Sequence, residues 1–388
     1  MPRLLSILFF FGLGIRGARA KWHLIPTAYP IASELYHPQE HDETATSASR
    51  LLDQRLRRIQ AACGSLCNTR RPSFRGGVVG HQYNHTSAHI PCAWLMADGS
   101  GIDASSETRF PPRAPPMKWI DEFTMHSRYP LRRTGDRDYT NYTFEVLVEH
   151  KAQGKAMNGD ANVTKGVTDG WSRQSVNNIA ARAKAGTMFQ RYHKLNKEVQ
   201  SGLRFVNVTG HRVLVIGSQS PWVEALALAE GARHVWTLEY AKLTTDHPQL
   251  TTLTPPEFLA RARNGYLPKF DTILTASSVE HSGLGRYNDG LNPWGDILAV
   301  ARAWCAASAK ARLIIAVPTH PDLDGMESRT STAIEGTYFN RERVYGPVRY
   351  PYLTTNWRFE HRVNPKKNRP AWGQTVYVFK RHRPQATH

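Results

Sequence analysis

Between residues 211 and 318, short apolar runs alternate with helix-length stretches, and this alternation narrows the fold more than any other feature of the chain. Val213–Ile216 and Leu313–Val317 are continuous apolar runs of strand length, as expected of parallel strands covered on both faces. Val235–Leu238 and Phe270–Thr275 read as two more strands, and residues 249–254 as a weaker one. Between them lie helices. Ser220 is placed as an N-cap and Pro221 as the first position of a helix over 221–230, closed by Gly231. Residues 255–264 form the next. Asn292 caps another, opened by Pro293, with Trp294, Ile297, Leu298, Ala301 and Trp304 at helical spacing. Residues 357–363 and 374–380 read as two strands of a terminal hairpin. Alternating strands and helices with right-handed crossovers give an α/β fold with a doubly wound, mostly parallel sheet.

In such sheets ligands sit beyond the carboxyl ends of the strands, where the strand order reverses. The first strand delivers Gly217, Ser218, Gln219 and Ser220 to that edge, and the second delivers Glu239. The fourth delivers Ser277, Ser278, Glu280 and His281, and the fifth His320 and Asp322. A carboxylate such as Glu239 accepts two hydrogen bonds from a diol. Ser220-Pro221 leaves a helix N-terminus exposed, where free N–H groups receive an anion.

The order strand, Gly-loop, helix, strand, acid, followed by FDTILTASSVEH and ARLIIAVP, resembles the class I S-adenosylmethionine-dependent methyltransferases. The segments VLVIGSQSPWVEALALAEGA, SSVEHSGLGRYNDGLNPWGD and FNRERVYGPVRYP are similar to an uncharacterised eukaryotic domain-of-unknown-function family with this fold. The resemblance lies in residues 213–350, within the roughly C-terminal 45% of the chain, and implies a methyltransferase-like domain over residues 205–380: a class I, Rossmann-like sheet with a C-terminal antiparallel hairpin. It implies S-adenosylmethionine as cofactor, bound by Gly217, Ser218, Ser220, Glu239, Ser277 and Glu280, with Glu239 on the ribose hydroxyls. His281, and after it His320, are the general-base candidates. The family's loop has two or three glycines, whereas this one keeps only Gly217. Ser218 and Gln219 are therefore expected to crowd the cofactor, where glycine allows close backbone approach.

The N-terminus carries a second signal. Arg3, the apolar stretch 4–15 and Ala18-Arg19-Ala20 have the form of a cleaved signal peptide over residues 1–20, too short to span a bilayer. Four N-x-T triplets, at Asn84, Asn141, Asn162 and Asn207, agree with a glycoprotein of the secretory pathway, secreted or lumenal. No later stretch is long and apolar enough to span a membrane. Cys63, Cys67, Cys92 and Cys305 allow two disulfides in an oxidising lumen, in any of three pairings. A buried free thiol is expected at Cys305, within a helix. The C-x3-C spacing without a second clustered pair speaks against zinc, and no metal site is expected.

Residues 21–130 read as a loop-rich stem or irregular subdomain, with an amphipathic helix over 50–62 presenting Leu51, Leu52, Leu56 and Ile59 on one side. Residues 131–204 link it to the domain, with a short strand at 139–150, a loop at 153–170 and one helix over 172–200. Residues 381–388 are expected to form a disordered basic tail. Formal charge is +18, and residues 340–388 hold eleven Lys/Arg against Glu342 and Glu360. Such a surface attracts polyanions. Behind a signal peptide these are acidic glycans and membrane surfaces, so nucleic acid is disfavoured. The long segment 319–356, with Tyr338, Phe339, Arg341, Arg343, Tyr345, Arg349, Tyr350 and Tyr352, is expected to form a lid or acceptor site or to pack over the sheet. The leading expectation is a lumenal O-methyltransferase acting on a glycan or glycoprotein. The alternative is a non-catalytic methyltransferase-like domain that binds glycans or proteins. Composition fixes no oligomeric state.

Overall fold

In the computed structural model of this chain, residues 43–70, 87–97, 117–132, 170–188, 193–285, 289–320, 335–339, 341–363 and 374–383 are described. The expected signal peptide, three of the four triplets, the strand at 139–150, nearly all of the loop 153–170 and Asp322 fall outside them. Asp42–His388 form one compact unit. In chain order it holds α1 (Glu43–Cys63), α2 (Cys92–Ala97), α3 (Ile120–Phe123), β1 (Leu131–Arg132), α4 (Arg173–Lys184) and α5 (His193–Val206). The sheet then builds through β2 (Arg212–Ile216), α6 (Trp222–Ala229), β3 (His234–Leu238), β4 (Leu250–Leu253), α7 (Pro255–Arg263), β5 (Phe270–Ala276), α8 (Gly295–Ala306) and β6 (Ala307–Pro318). Last come β7 (Gly336–Tyr338), β8 (Glu342–Val344), α9 (Tyr350–Leu353), β9 (Trp357–Arg362) and β10 (Gln374–Arg381).

Seven strands form one sheet in the order β4-β3-β2-β5-β6-β10-β9. The first five are parallel, and β10 is antiparallel to both its neighbours. Chain order reverses between β2 and β5, which is the switch point of a doubly wound sheet. This is the class I methyltransferase-like α/β fold, terminal hairpin included. A small second sheet has the order β1-β7-β8.

Each face of the large sheet is covered. On one, Val213, Val215, Leu274, Ile314 and Val376 pack with α4, α5 and α6. Gly202 lets α5 lie close, since a β-carbon there would stand 3.3 Å from Ile314 Cγ2 and 3.4 Å from Val376 Cγ1. On the other face, Leu214, Ile273, Leu313 and Ile315 pack with α7, α8 and the aromatic group Tyr345, Tyr350 and Tyr377. Helix α8 is covered twice. Val300, Ala303 and Ala306 face the sheet, whereas Trp294, Ile297, Leu298, Ala301 and Cys305 share a core with Leu56, Ile59, Leu95, Trp119 and Phe123. A helix apolar all round needs such a second cover, and the segments 43–67, 92–97 and 117–129 supply it.

Several local expectations are corrected. Cys305 is no free thiol: it pairs with Cys92, Cα atoms 5.5 Å apart, while Cys63 pairs with Cys67. Cys92 reaches Cys305 because α2 packs on α8. The helix expected over 172–200 is two, α4 and α5, with Gly186 at φ +68° after the first. Helix α6 starts at Trp222 with Pro221 at its N-cap, so Ser220 does not cap it. Helix α8 begins at Gly295 rather than at Pro293, because Asn292 Oδ1 accepts the Trp294 N–H (2.9 Å) in a tight turn before it. Leu51 points to solvent at 48% exposure, while Leu56 and Ile59 are buried. Arg381, expected in the tail, ends β10.

Of the segment 319–356, the described residues 341–356 pack over the sheet and bury most of the aromatic and basic side chains expected to form a lid or acceptor site, while Arg341 stays half-buried. Tyr345, Tyr350, Tyr352, Arg343 and Arg349 are fully or almost fully buried, and Tyr338 and Phe339 nearly so. The arginines are there for Asp296, at the first turn of α8. Arg349 Nε donates to Asp296 Oδ2 (2.9 Å) and Nη2 to Oδ1 (2.7 Å), and Tyr345 donates to Oδ2 (2.8 Å). Burial alone would raise the Asp296 pKa, but Arg343 and Arg349 outweigh it and hold it at about 2. Arg343 serves the loop before α8, donating to Ser282 O at 2.6 Å.

Candidate functional site

The polar residues after β2, β3, β5 and β6 lie at one edge, as parallel pairing in register requires. Strand β2 ends at Gly217, whose φ of +73° suits glycine. Its N–H donates to Leu238 O at 2.9 Å, tying the bend to the end of β3. A β-carbon at Gly217 would overlap the Ser278 side chain and stand 3.8 Å from Glu239 Oε2. Gly217 and Glu239 are therefore neighbours, and the Ser278 side chain occupies the space against Gly217 on that same side.

Glu239 is half-buried at the edge. Its Oε2 accepts the Ser218 N–H at 2.9 Å and its Oε1 the Tyr240 N–H at 2.7 Å. Burial raises its pKa, these amides oppose the rise, and Asp289 adds to it. The Ala241 N–H is a third donor, longer, at 3.5 Å from Oε1. A carboxylate has about four acceptor positions, so these three bonds leave acceptor capacity for a hydroxyl on Oε2. An acceptor at this edge fits a ribose hydroxyl, which S-adenosylmethionine would present.

Ser218 does not crowd the edge. Its hydroxyl is turned inward, 3.0 Å from Glu224 Oε2 and 2.7 Å from Ser220 O. Glu224 Oε1 in turn accepts from Thr237 Oγ1 at 2.8 Å. Glu224 is fully buried, and burial raises its pKa to about 7 against those hydrogen bonds. Gln219 and Ser220 stay half-buried.

Ser277, at φ +56°, donates its N–H to Ala316 O (2.9 Å), and its hydroxyl accepts from Gln374 Nε2 (2.8 Å). It is thus engaged with β6 and β10. Glu280 is fully buried, its carbonyl accepts from Arg343 Nη1 (3.4 Å), and its Oε1 stands 3.8 Å from His281 Nε2. The structure does not bring the Glu280 carboxylate to the open edge. His281 is also buried, its Nδ1 2.5 Å from Arg341 O. His320 is half-buried just past β6, its N–H donating to Tyr345 O at 2.7 Å.

Residues 210–371 match the family described as "Caenorhabditis protein of unknown function, DUF268". That stretch contains all three segments that carried the resemblance and every candidate site residue. Among solved structures, the chain is similar to the 1,6-didemethyltoxoflavin-N1-methyltransferase of Burkholderia thailandensis, at 13% identity and TM-score 0.33 over 54% of this chain and 87% of that one. It is also similar to the N-methyltransferase NodS of Bradyrhizobium japonicum, at 11% identity and TM-score 0.31 over 50% and 100%. The fold rests on the strand order itself; similarity at this level says nothing of ligand or activity. No curated protein matches the chain.

Two residues of the site escape a reading based on the Gly-loop pattern. Glu224 is the sole charged residue of α6, and an acid alone among Trp, Val, Leu and Ala is a visible signal. Asp289, almost fully buried, accepts the Gly283 N–H and acts on Glu239. Among the described residues, no group of three or more His, Cys, Asp or Glu could hold a metal ion.

Proposed function

We propose that this chain is an S-adenosylmethionine-dependent O-methyltransferase of the secretory pathway. The reading is carried by Glu239, an acid at the end of β3 that adjoins the Gly217 bend at the switch point of the sheet. Bound S-adenosylmethionine would supply an activated methyl group with its leaving group attached. The chain's part is to bind and orient. Glu239 takes the ribose hydroxyls, the amides after Gly217 line the bend, and Ser220 marks the start of α6. Held in line, an acceptor oxygen needs little further help. Loss of its proton is assigned to His320, at the half-buried edge, ahead of His281, whose ring faces Arg341 O and Glu280.

The compartment is supported by the N-terminal pattern, by the two disulfides and by the exposure of Asn207. Among the described residues, no helix is long and apolar enough to cross a membrane. A glycan or glycoprotein acceptor follows from that compartment; the buried arginines and tyrosines of 335–363 lend it nothing. Calorimetry with S-adenosylhomocysteine on the purified chain tests the reading. Micromolar binding is expected, weakened at least about tenfold by Glu239→Ala. Absence of binding at millimolar ligand overturns it.

One observation favours a non-catalytic relative of the fold. Both Glu239 oxygens already accept backbone N–H groups, and Ser278 fills the space against Gly217. A domain of that kind would bind partners through the same edge without a nucleoside.

A further inference from the structure

A carboxyl inside an apolar helix costs free energy unless its oxygens are bonded. Glu224 meets that condition by reaching out of α6 on both sides. Thr237 Oγ1, in β3, donates to its Oε1 at 2.8 Å, and Ser218 Oγ, in the loop after β2, lies 3.0 Å from its Oε2. The Ser218 hydroxyl has one proton and two acceptors in reach, Glu224 Oε2 and Ser220 O. Given to Ser220 O, that proton leaves Ser218 Oγ to accept from a protonated Glu224, a form that burial favours. The backbone N–H of the same serine donates to Glu239 Oε2 at 2.9 Å. One line of hydrogen bonds thus runs from Thr237 through Glu224 and Ser218 to Glu239, from the interior of the sheet to its open edge. Glycine keeps a cofactor loop clear by lacking a side chain. Here the side chain is present and drawn inward.

Resting on the methyltransferase reading above, we propose that Glu224 is the positioning residue of this site: it holds the Ser218 side chain in the interior and so keeps the Ser218 N–H on Glu239. Glu224 touches no ligand and acts only through the loop.

The test uses the full chain and needs no cofactor for its first arm. Hydrogen exchange over 217–220 is compared among wild type, Glu224→Ala, Glu224→Gln, Ser218→Ala and the double variant Glu224→Ala/Ser218→Ala. Glu224→Ala and Ser218→Ala should each speed exchange there at least about tenfold, the double variant no further, and β5 and β6 should stay protected. Glu224→Gln, whose amide can still accept from Thr237 and donate to Ser218 Oγ, should stay within about threefold of wild type. In the second arm, S-adenosylhomocysteine affinity should follow the same order. If Glu224→Ala cannot be folded, Ser218→Ala, which removes one hydroxyl, decides alone. Exchange over 217–220 unchanged in Ser218→Ala and Glu224→Ala, or Glu224→Gln as disruptive as Glu224→Ala, overturns the proposal. A wild type that shows the exchange pattern but binds no S-adenosylhomocysteine removes the methyltransferase reading and leaves the positioning role of Glu224 standing.

Discussion

Ser218 and Glu224 occupy places where a methyltransferase loop and a buried helix would ordinarily carry glycine and an apolar residue, and each makes the other tolerable. Their pairing has a pH signature. The Glu224 pKa is raised from 4.5 to about 7 in the fold, so the native state holds this proton more tightly than the unfolded chain. The stabilisation is full below pH 4.5 and is lost as pH rises through 7. Urea denaturation at pH 5 and pH 8 should show a difference attributable to this group of at most about 3 kcal/mol, which Glu224→Gln flattens. Identical pH slopes in wild type and variant would contradict it. Asp296 works in the opposite direction, since its guanidinium partners hold it low. Arg349→Met leaves that carboxylate buried without its fork and should cost about 3–5 kcal/mol in the same assay. A loss under about 1 kcal/mol would show that Arg343 and Tyr345 suffice. Glu239 and Gly217 were legible from position alone. The inward turn of Ser218 was not, because nothing in G-S-Q-S-P says which way a serine points. The buried fate of Arg343 and Arg349 was hidden for a related reason: Asp296, their partner, lies about fifty residues away and reads as an ordinary first-turn acid.

At the level of elements, β2 and the Leu313–Val317 half of β6 were legible because strands covered on both faces are apolar; the first half of β6, with Lys310 and Arg312, carries no such signal. Their neighbours followed from the alternation. The break between α4 and α5 was missed, since the apolar positions Ala183, Met188 and Leu195 continue across it and only Gly186 marks the stop. Helix α8 looked amphipathic, yet its second face is covered by segments from 43 to 129 that carry little periodicity after α1. The bend at Gly217 is the element-scale feature with the sharpest consequence. Gly217→Ala must adopt a positive φ and displace Ser278 as well. It should lower stability by about 1–3 kcal/mol, as thermal or chemical melts would register, and abolish nucleoside binding. Wild-type affinity in that variant would mean the bend is not part of the site.

Across the whole molecule, the Cys92–Cys305 bond joins residues 213 apart in sequence and fixes the α2 segment to α8. Cys92→Ser/Cys305→Ser should lower stability by about 2–5 kcal/mol. A variant as stable as wild type would show that the apolar core around Trp294 and Trp119 holds these segments by itself. Asn207 is exposed, at φ +53° just past α5. Protein from a secretory host should shift in mobility on glycosidase treatment, and Asn207→Gln should lose one increment of that shift; no shift at all would contradict the compartment proposed here. The proposed function depends on Glu239 meeting a ribose. The most direct measurement compares S-adenosylhomocysteine with its 2′,3′-dideoxy analogue on wild type and on Glu239→Ala. The predicted result is at least about tenfold weaker binding of the analogue to wild type and equal binding of both ligands to the variant. Equal affinity of the two ligands for wild type would contradict it.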